Sequence, residues 1–225
     1  MNRLAGFGSI VIAAILLAAC QTVTHDERAP APAPNPVEQE GAKIVREPDH
    51  TITHPASGMR FPERVAEFER VDFKQSSGKG LIFTCDYRLS GPGALVLATV
   101  TLYPAPSASG ATEGLIREAR PGLADSEYQL EVKRILASHP NTVVSEEKEI
   151  ALAQGLQKHV GRYVEFEYSD TIESRFQPVV SRLYLFNNVD EKWAVRFRLT
   201  FPKGAIAEKV ITEFLSALHW SLKDE

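Results

Sequence analysis

Beyond residue 19 the sequence has no apolar run approaching the roughly 20 residues that a membrane-spanning helix needs. It also has no surplus of positive charge, since 25 lysines and arginines stand against 29 aspartates and glutamates. A chain of this balance has no basic face to attract nucleic acid or anionic lipid headgroups. The composition therefore predicts no nucleic-acid partner and no transmembrane segment in the mature protein.

Sequence motifs for catalysis are equally scarce. The G-x-S-x-G pattern of a serine nucleophile elbow is absent, and the glycine-rich stretch Ser76 to Gly80 lacks the spacing and the following helix of a phosphate-binding loop. That stretch is better explained as a turn. His50 and His54 have metal-like spacing, but they lie in a segment expected to be irregular and have no third ligand. The sequence thus predicts no catalytic residue, metal site or cofactor.

The amino terminus, in contrast, carries a clear pattern. Arg3 is followed by an apolar run from Ile10 to Leu17, which is the arrangement of an export signal rather than of a spanning helix. Leu17, Ala18, Ala19 and Cys20 follow in order. Small residues before a cysteine give a signal peptidase access to the backbone, and the cysteine thiol can take a lipid as a thioether.

This stretch resembles the lipobox of bacterial lipoproteins. The resemblance implies that residues 1–19 are removed and that Cys20 carries a diacylglycerol and an N-acyl chain such as palmitate, with Leu17, Ala18 and Ala19 recognised by the signal peptidase. More than one acyl chain makes membrane binding stable. Within the family, Gln21 at the second mature position indicates the outer membrane, facing the periplasm. The implied partner is therefore a membrane, through the lipid alone.

A polar segment follows the anchor, and residues 29–36 of it spell A-P-A-P-A-P-N-P. Proline lacks a backbone donor and restricts the residue before it, so this repeat cannot form a helix or join a sheet. We expect residues 20–51 to be a disordered linker with a semi-rigid spacer that holds the domain off the lipid. A role as a ligand for proline-binding domains is the alternative.

Residues 52–225 have the length of a single domain with a proper core. Only Cys20 and Cys85 are present, so a lipidated Cys20 leaves Cys85 without an intramolecular partner. Cys85 alternates in phase with Leu81, Phe83 and Tyr87, which places it on the apolar face of a strand. We expect it to act as a small buried hydrophobe rather than a catalytic thiol.

Hydrophobic periodicity predicts the secondary structure. Alternation predicts strands, and wider spacing predicts helices of which the second lies on the sheet through Ile206, Val210, Ile211, Phe214, Leu215 and Leu218. A hairpin loop is expected at Asn187 to Asp190. The predicted strands are Phe68 to Phe73, Leu81 to Leu89, Leu95 to Tyr103, Thr142 to Ala151, His159 to Tyr168, Val179 to Phe186 and Lys192 to Phe201, with a short extended piece at Met59 to Phe61. The predicted helices are Thr112 to His139, interrupted at Pro121 and Gly122 and with Tyr128, Val132, Ile135 and Leu136 on one face, and Ala205 to Leu222.

This element order indicates the α+β class, with a mostly antiparallel sheet of about seven strands packed by a mid-chain helix and a C-terminal helix. The order, together with the opening segment Gly58 to Pro62, is similar to the PsbP-like fold. That resemblance implies a binding or assembly module.

Charged residues alternate with apolar ones on two of the predicted strands. Glu165 and Glu167 form one row, and Arg196 and Arg198 form another. If the strand from Val179 to Phe186 lies between them, the rows flank either Ser181, Leu183 and Leu185 or Arg182, Tyr184 and Phe186. An exposed apolar row there would be a partner surface, but a sheet with two apolar faces and two helices favours coverage of both.

The sequence therefore predicts a lipid-anchored protein of the cell envelope, with no enzymatic activity and with a binding or assembly role toward another envelope protein. Two alternatives remain open. One is an enzyme whose site assembles only in three dimensions, which a deep pocket with a histidine near a carboxylate would favour. The other is a carrier of an apolar ligand, which a dry cavity between helix and sheet would favour.

Overall fold

A computed structural model describes residues 45–76, 81–91, 94–105, 113–154, 157–189 and 192–220. All of them belong to one compact unit that spans residues 38–225. The lipobox and the proline-rich spacer lie outside the described residues. No helix in these ranges is both long and apolar enough to cross a membrane.

A small three-stranded sheet precedes the main one. It consists of β1 (Val45–Arg46), β2 (Ile52–Thr53) and β3 (Arg60–Phe61), joined by antiparallel pairs. The described residues thus include one strand, β1, upstream of residue 52, the predicted start of the domain. At the surface of this sheet the Arg60 guanidinium of β3 lies 2.5 Å from the carboxylate of Glu47, the residue after β1.

The main sheet has eight antiparallel strands in the order β4-β5-β6-β7-β11-β10-β9-β8. This confirms the α+β class and the mostly antiparallel sheet. The expected number of about seven strands was wrong, because the two-residue strand β4 is too short to give a periodic signal. The strands are β4 (Arg64–Val65), β5 (Phe68–Ser76), β6 (Ile82–Gly91), β7 (Ala94–Pro104), β8 (Val143–Gln154), β9 (Gln157–Ile172), β10 (Arg175–Val189) and β11 (Trp193–Pro202).

The two helices cover opposite faces of this sheet. The helix α1 (Glu113–Ser138) contributes Tyr128 and Ile135 to one apolar cluster, and α2 (Glu208–Ala217) contributes Ile211 and Phe214 to another. We call the two sides the α1 face and the α2 face. Sheet residues of the α1 face include Val164, Phe166, Leu183 and Leu185, and those of the α2 face include Tyr87, Val100, Tyr184, Phe186 and Phe197.

The expectation that both central rows are covered is confirmed, because Leu183 and Leu185 pack in the α1-face cluster and Tyr184 and Phe186 in the α2-face cluster. The arrangement of the charged rows was wrong in one respect. Glu165 pairs with Arg182, whereas Arg198 pairs with Leu183. Since paired residues share a face, the glutamates lie on the α2 face and the arginines on the α1 face. Alternation within a strand does not reveal its phase relative to another strand.

Both helices differ from their predicted bounds. The structure has α1 as one continuous helix through residues 121–122, since a proline removes only one hydrogen bond from a long ladder. Leu136 lies at the flank of its buried stripe and is 39% exposed. The helix α2 starts only at Glu208, so Ile206 lies in the preceding loop. It is 87% exposed rather than packed on the sheet.

The C-terminal segment is also shorter as a helix than predicted. Leu218 caps α2 in an extended conformation, with φ −78° and ψ 107°. The chain then carries Trp220 into the core, where its ring centroid lies 4.8 Å from Phe186 and 6.0 Å from Phe197. Trp220 is fully buried. It therefore closes the α2 face, a role that the periodic pattern did not reveal.

Candidate functional site

The predicted lipidation site lies outside the described residues, as do the three residues before it. Cys85 is described, and it is fully buried on the α2 face as expected. Burial raises the pKa of its thiol well above the usual range, so the reactive thiolate does not form near neutral pH. The prediction of a small buried hydrophobe is confirmed.

The two histidines with metal-like spacing lie in different environments, one exposed and one buried. His50 is exposed in a turn with φ 62°, whereas His54 is fully buried. The His54 ring makes edge contacts with Phe83 at 4.4 Å and Trp193 at 4.7 Å between centroids. Within the described ranges no three histidine, cysteine, aspartate or glutamate side chains are arranged to hold a metal ion.

His54 instead organises the turn after β2. Its Nδ1 accepts the Ser57 backbone N–H at 3.0 Å and lies 2.8 Å from the Ser57 hydroxyl, which in turn accepts the Met59 N–H. Burial lowers the pKa of His54 to about 4, although the backbone of Leu81 opposes the shift. The neutral imidazole is therefore a structural acceptor at neutral pH.

The glycine-rich stretch connects two antiparallel strands. Ser76 ends β5 and pairs with Ile82, near the start of β6, while residues 77–80 lie outside the described ranges. A phosphate-binding loop leads into a helix, whereas this one leads into a strand. The expected turn itself lies outside the described ranges.

A recess that combines charged, aromatic and aliphatic side chains lies on the α2 face, between α2 and the strands β8, β9 and β10. We call it the α2 groove. Its volume is about 320 Å³. Four separate elements supply its walls, so none of their patterns indicates it alone. The lining residues are Glu146, Lys148, Ile150, Ala151, Leu152, Tyr163, Arg182, Tyr184, Phe186, Glu208, Thr212 and Leu215.

One end of the α2 groove is a charged network centred on Arg182. Its guanidinium donates to Glu165 at 2.8 Å and to Glu208 at 2.5 Å. Glu165 also accepts from Ser145 at 2.9 Å and Tyr163 at 3.1 Å. The Arg182 and Glu165 side chains are only 16% and 18% exposed, so their attraction is weakly screened by solvent.

The titration of this network follows from the same contacts. Burial alone would raise the pKa of Glu165, but hydrogen bonds from Arg182, Ser145 and Tyr163 outweigh it and lower that pKa. Burial opposes the charge of Arg182, yet the hydrogen bonds to Glu208 and Glu165 raise its pKa. Both groups therefore stay charged near neutral pH. The network fixes β9, β10 and α2 relative to one another.

The floor of the α2 groove is aromatic and aliphatic. The rings of Tyr163 and Tyr184 lie 5.0 Å apart, and the Lys148 ammonium lies 5.0 Å from the Tyr163 centroid. Burial raises the pKa of Tyr184 to about 12, so its phenol stays protonated. Ile150 and Leu152 are half-buried beside these rings. An apolar floor next to fixed charges suits an amphipathic ligand or a peptide side chain.

A second polar cluster lies under α1, on the opposite face of the sheet. The Arg196 guanidinium lies 2.5 Å from the Glu131 carboxylate, whose side chain is only 12% exposed. Glu127, one turn before it, faces Tyr103. Burial, aided by repulsion from Glu131, raises the pKa of Glu127. Two carboxyl groups and one arginine thus share a partly buried site.

The end of α1 carries a third set of polar contacts. Arg198 donates to the Tyr168 hydroxyl at 2.9 Å and lies 3.2 Å from the Nε2 of His139. The His139 ring stacks on Tyr168, with 4.0 Å between centroids. Burial and the nearby Arg198 lower the pKa of His139. These contacts fix the helix end against the sheet.

A comparison of the chain with known protein families gives no match, and a comparison with curated proteins gives no similar sequence.

Proposed function

We propose that this protein is a lipid-anchored component of the cell envelope and that its folded domain is a binding module with the α2 groove as its binding site. The α2 groove carries the proposal, because this recess of about 320 Å³ places an apolar floor beside a fixed charged network. Such a combination of apolar walls and a few placed polar groups is typical of binding sites.

The anchor supports the same conclusion from the sequence. Leu17 to Cys20 form the lipobox, and the proline-rich residues 29–36 follow it. An extended spacer of this kind rises about 3 Å per residue. A tethered domain at the end of such a spacer searches a thin layer next to one membrane, where a weak site gains from a high effective concentration.

The anchor is tested by replacing each of the two cysteines, one at a time, with alanine. Cys20→Ala should move the protein from the membrane pellet to the soluble or precursor fraction. Cys85→Ala, the matched control, removes a buried thiol of no proposed function and should leave the protein in the pellet. Retention of Cys20→Ala in the pellet would show that the lipid is not what holds it.

The α2 groove is tested by filling it. Thr212 lines the groove from α2 and is exposed, so Thr212→Trp places a ring in the recess without entering the core. Lys209→Trp puts the same ring on α2 outside the groove. In-cell cross-linking of the tagged native protein should give discrete envelope adducts that Thr212→Trp and Cys20→Ala remove and Lys209→Trp keeps. Adducts that survive Thr212→Trp unchanged would place binding elsewhere.

An enzymatic role is the second candidate, favoured by the cluster of Glu127, Glu131 and Arg196 under α1. A carboxyl group with a raised pKa can act as a general acid. Glu127→Gln separates the two roles, because it keeps the shape of the side chain and removes its titration. A variant that is stable yet reproduces the phenotype of cells without the protein would favour catalysis.

A further inference from the structure

The strand β8 ends the main sheet, and among the described residues only β9 pairs with it. It has 12 residues, and every side chain from Val143 to Glu149 is exposed. Every second residue of an edge strand points its N–H and C=O away from the sheet. This edge therefore offers main-chain hydrogen bonds to an added strand.

Apart from Lys148, the two faces of β8 carry different side chains between Glu147 and Leu152, acidic on the α1 face and apolar on the α2 face. Glu147 and Glu149 lie on the α1 face, paired across to Val164 and Arg162. Ile150 and Leu152 lie on the α2 face and line the α2 groove. An incoming strand would thus meet negative charge on one side and an apolar wall on the other.

The negative charge on β8 is only partly compensated. Lys148 lies 2.7 Å from Glu146, and Arg162 lies 3.2 Å from Glu147. Glu149 is exposed and has no ion pair within the described part of the chain. A positively charged side chain opposite Glu149 would supply the missing partner.

A second copy of this chain is a poor fit to the same edge. In an antiparallel pairing of two β8 strands centred on Lys148, the two lysines face each other and Glu147 faces Glu149. Like charges directly opposite each other destabilise a strand pair. The charges therefore oppose self-pairing of β8 in this register and favour a partner of opposite charge.

We infer that β8 and the α2 groove together bind an extended peptide segment in which basic and apolar residues alternate, added to the sheet as a ninth strand. Its basic side chains lie on the α1 face, against Glu147 and Glu149. Its apolar side chains lie on the α2 face, over Ile150 and Leu152. The inference rests on the proposed binding function and names its partner class. Val143 and Val144, 59% and 42% exposed, extend the contact at the start of β8.

The test uses the full lipidated chain in a nonionic detergent and an acetylated, amidated Lys-Val octapeptide as probe. Amide hydrogen exchange is measured along the chain with and without the probe. We expect exchange in β8 to slow about tenfold or more at saturation, with no change in β5 at the far side of the sheet. A Glu-Val octapeptide should have no effect, because its carboxylates would face Glu147 and Glu149.

A charge reversal at Glu149 tests the same inference, with a charge reversal at Glu67 as its matched control. Glu149→Lys should weaken probe binding about tenfold or more, whereas Glu67→Lys makes the same change in an exposed turn and should leave it unchanged. The inference is overturned if β8 exchange is unaltered, if Glu-Val protects it equally, or if both variants bind alike. It can fail while Thr212→Trp still removes the cellular adducts, which would leave the groove as a binding site for a different partner.

Discussion

Gly161→Ala tests a close approach between the strands β9 and β10. Gly161 lies in β9, and an added Cβ would lie 2.5 Å from the Leu185 carbonyl oxygen and 2.6 Å from Cδ1 of Phe186. Neither distance is tolerated by real side chains. The Phe186 ring cannot simply rotate away, because Trp220 packs 4.8 Å from it, and the carbonyl oxygen belongs to a paired strand.

The expected cost is of the size seen when a well-packed core is overfilled, about 1–3 kcal/mol. The upper part of that range applies, since one of the two contacts is with backbone. Alanine is intrinsically better than glycine in a strand by roughly 0.5–1 kcal/mol, which leaves a net loss of about 2 kcal/mol. For a domain of this size, that loss corresponds to a melting temperature lower by about 4–8 °C.

The assay is thermal unfolding followed by circular dichroism, with Gly91→Ala as control. Gly91 ends β6, and a Cβ there would meet nothing within 4 Å. Gly91→Ala should therefore melt within about 1–2 °C of the native protein, as exposed substitutions do. Equal melting temperatures for the two variants would refute the close packing of β9 on β10.

Four further substitutions test the core and the titration of two buried groups. Trp220→Ala removes a fully buried ring and should cost about 3–5 kcal/mol, measured by urea unfolding; a cost below 1 kcal/mol would show that Trp220 does not close the α2 face. Burial lowers the pKa of His54 from 6.5 to about 4, so between these pH values the unfolded chain binds a proton that the folded chain does not. The free energy of unfolding should therefore fall by up to about 3 kcal/mol as the pH drops from 6.5 to 4. His54→Asn should flatten this fall, and an unchanged pH dependence in the variant would contradict the assignment. Glu127 has a raised pKa, so its contribution to folding stability is complete in acid and is lost as the pH rises. Glu127→Gln should therefore be more stable than the native protein at pH 8 and equally stable near pH 3. Glu131→Gln should instead lose stability at pH 8, because it removes the ion pair with Arg196.

The strands of the main sheet could be predicted because each is long enough to show alternation. Trp193 to Phe201 alternate strictly, and the structure buries Trp193, Val195, Phe197, Leu199 and Phe201 on the α2 face. The two-residue strands β1, β2 and β4 were not predicted, since two residues have no period, whereas β3 lies within the extended piece expected at Met59 to Phe61. Their place is set by tertiary contacts, such as Tyr87 donating to the Pro62 carbonyl at 3.0 Å.

The α2 groove could not be predicted from the sequence, for a related reason. Glu165 and Arg182 stand out in the sequence only as members of charged rows. Their ion pair depends on the register between β9 and β10, and Glu208 joins them only because α2 crosses that part of the sheet. Register and helix placement depend on packing between distant segments, so a local pattern contains neither. The position of Ile206, outside α2 and 87% exposed, shows the same limit at a helix end.

We propose that a membrane tether presents the α2 groove to an envelope partner. Site-specific photocross-linking in living cells tests it most directly, with the photoreactive residue placed at Thr212 inside the groove or at Lys209 outside it. We expect a discrete adduct from position 212 that is absent from position 209 and is lost in the Cys20→Ala background. Adducts of equal strength from both positions, or adducts from position 212 that persist without the lipid, would contradict the account.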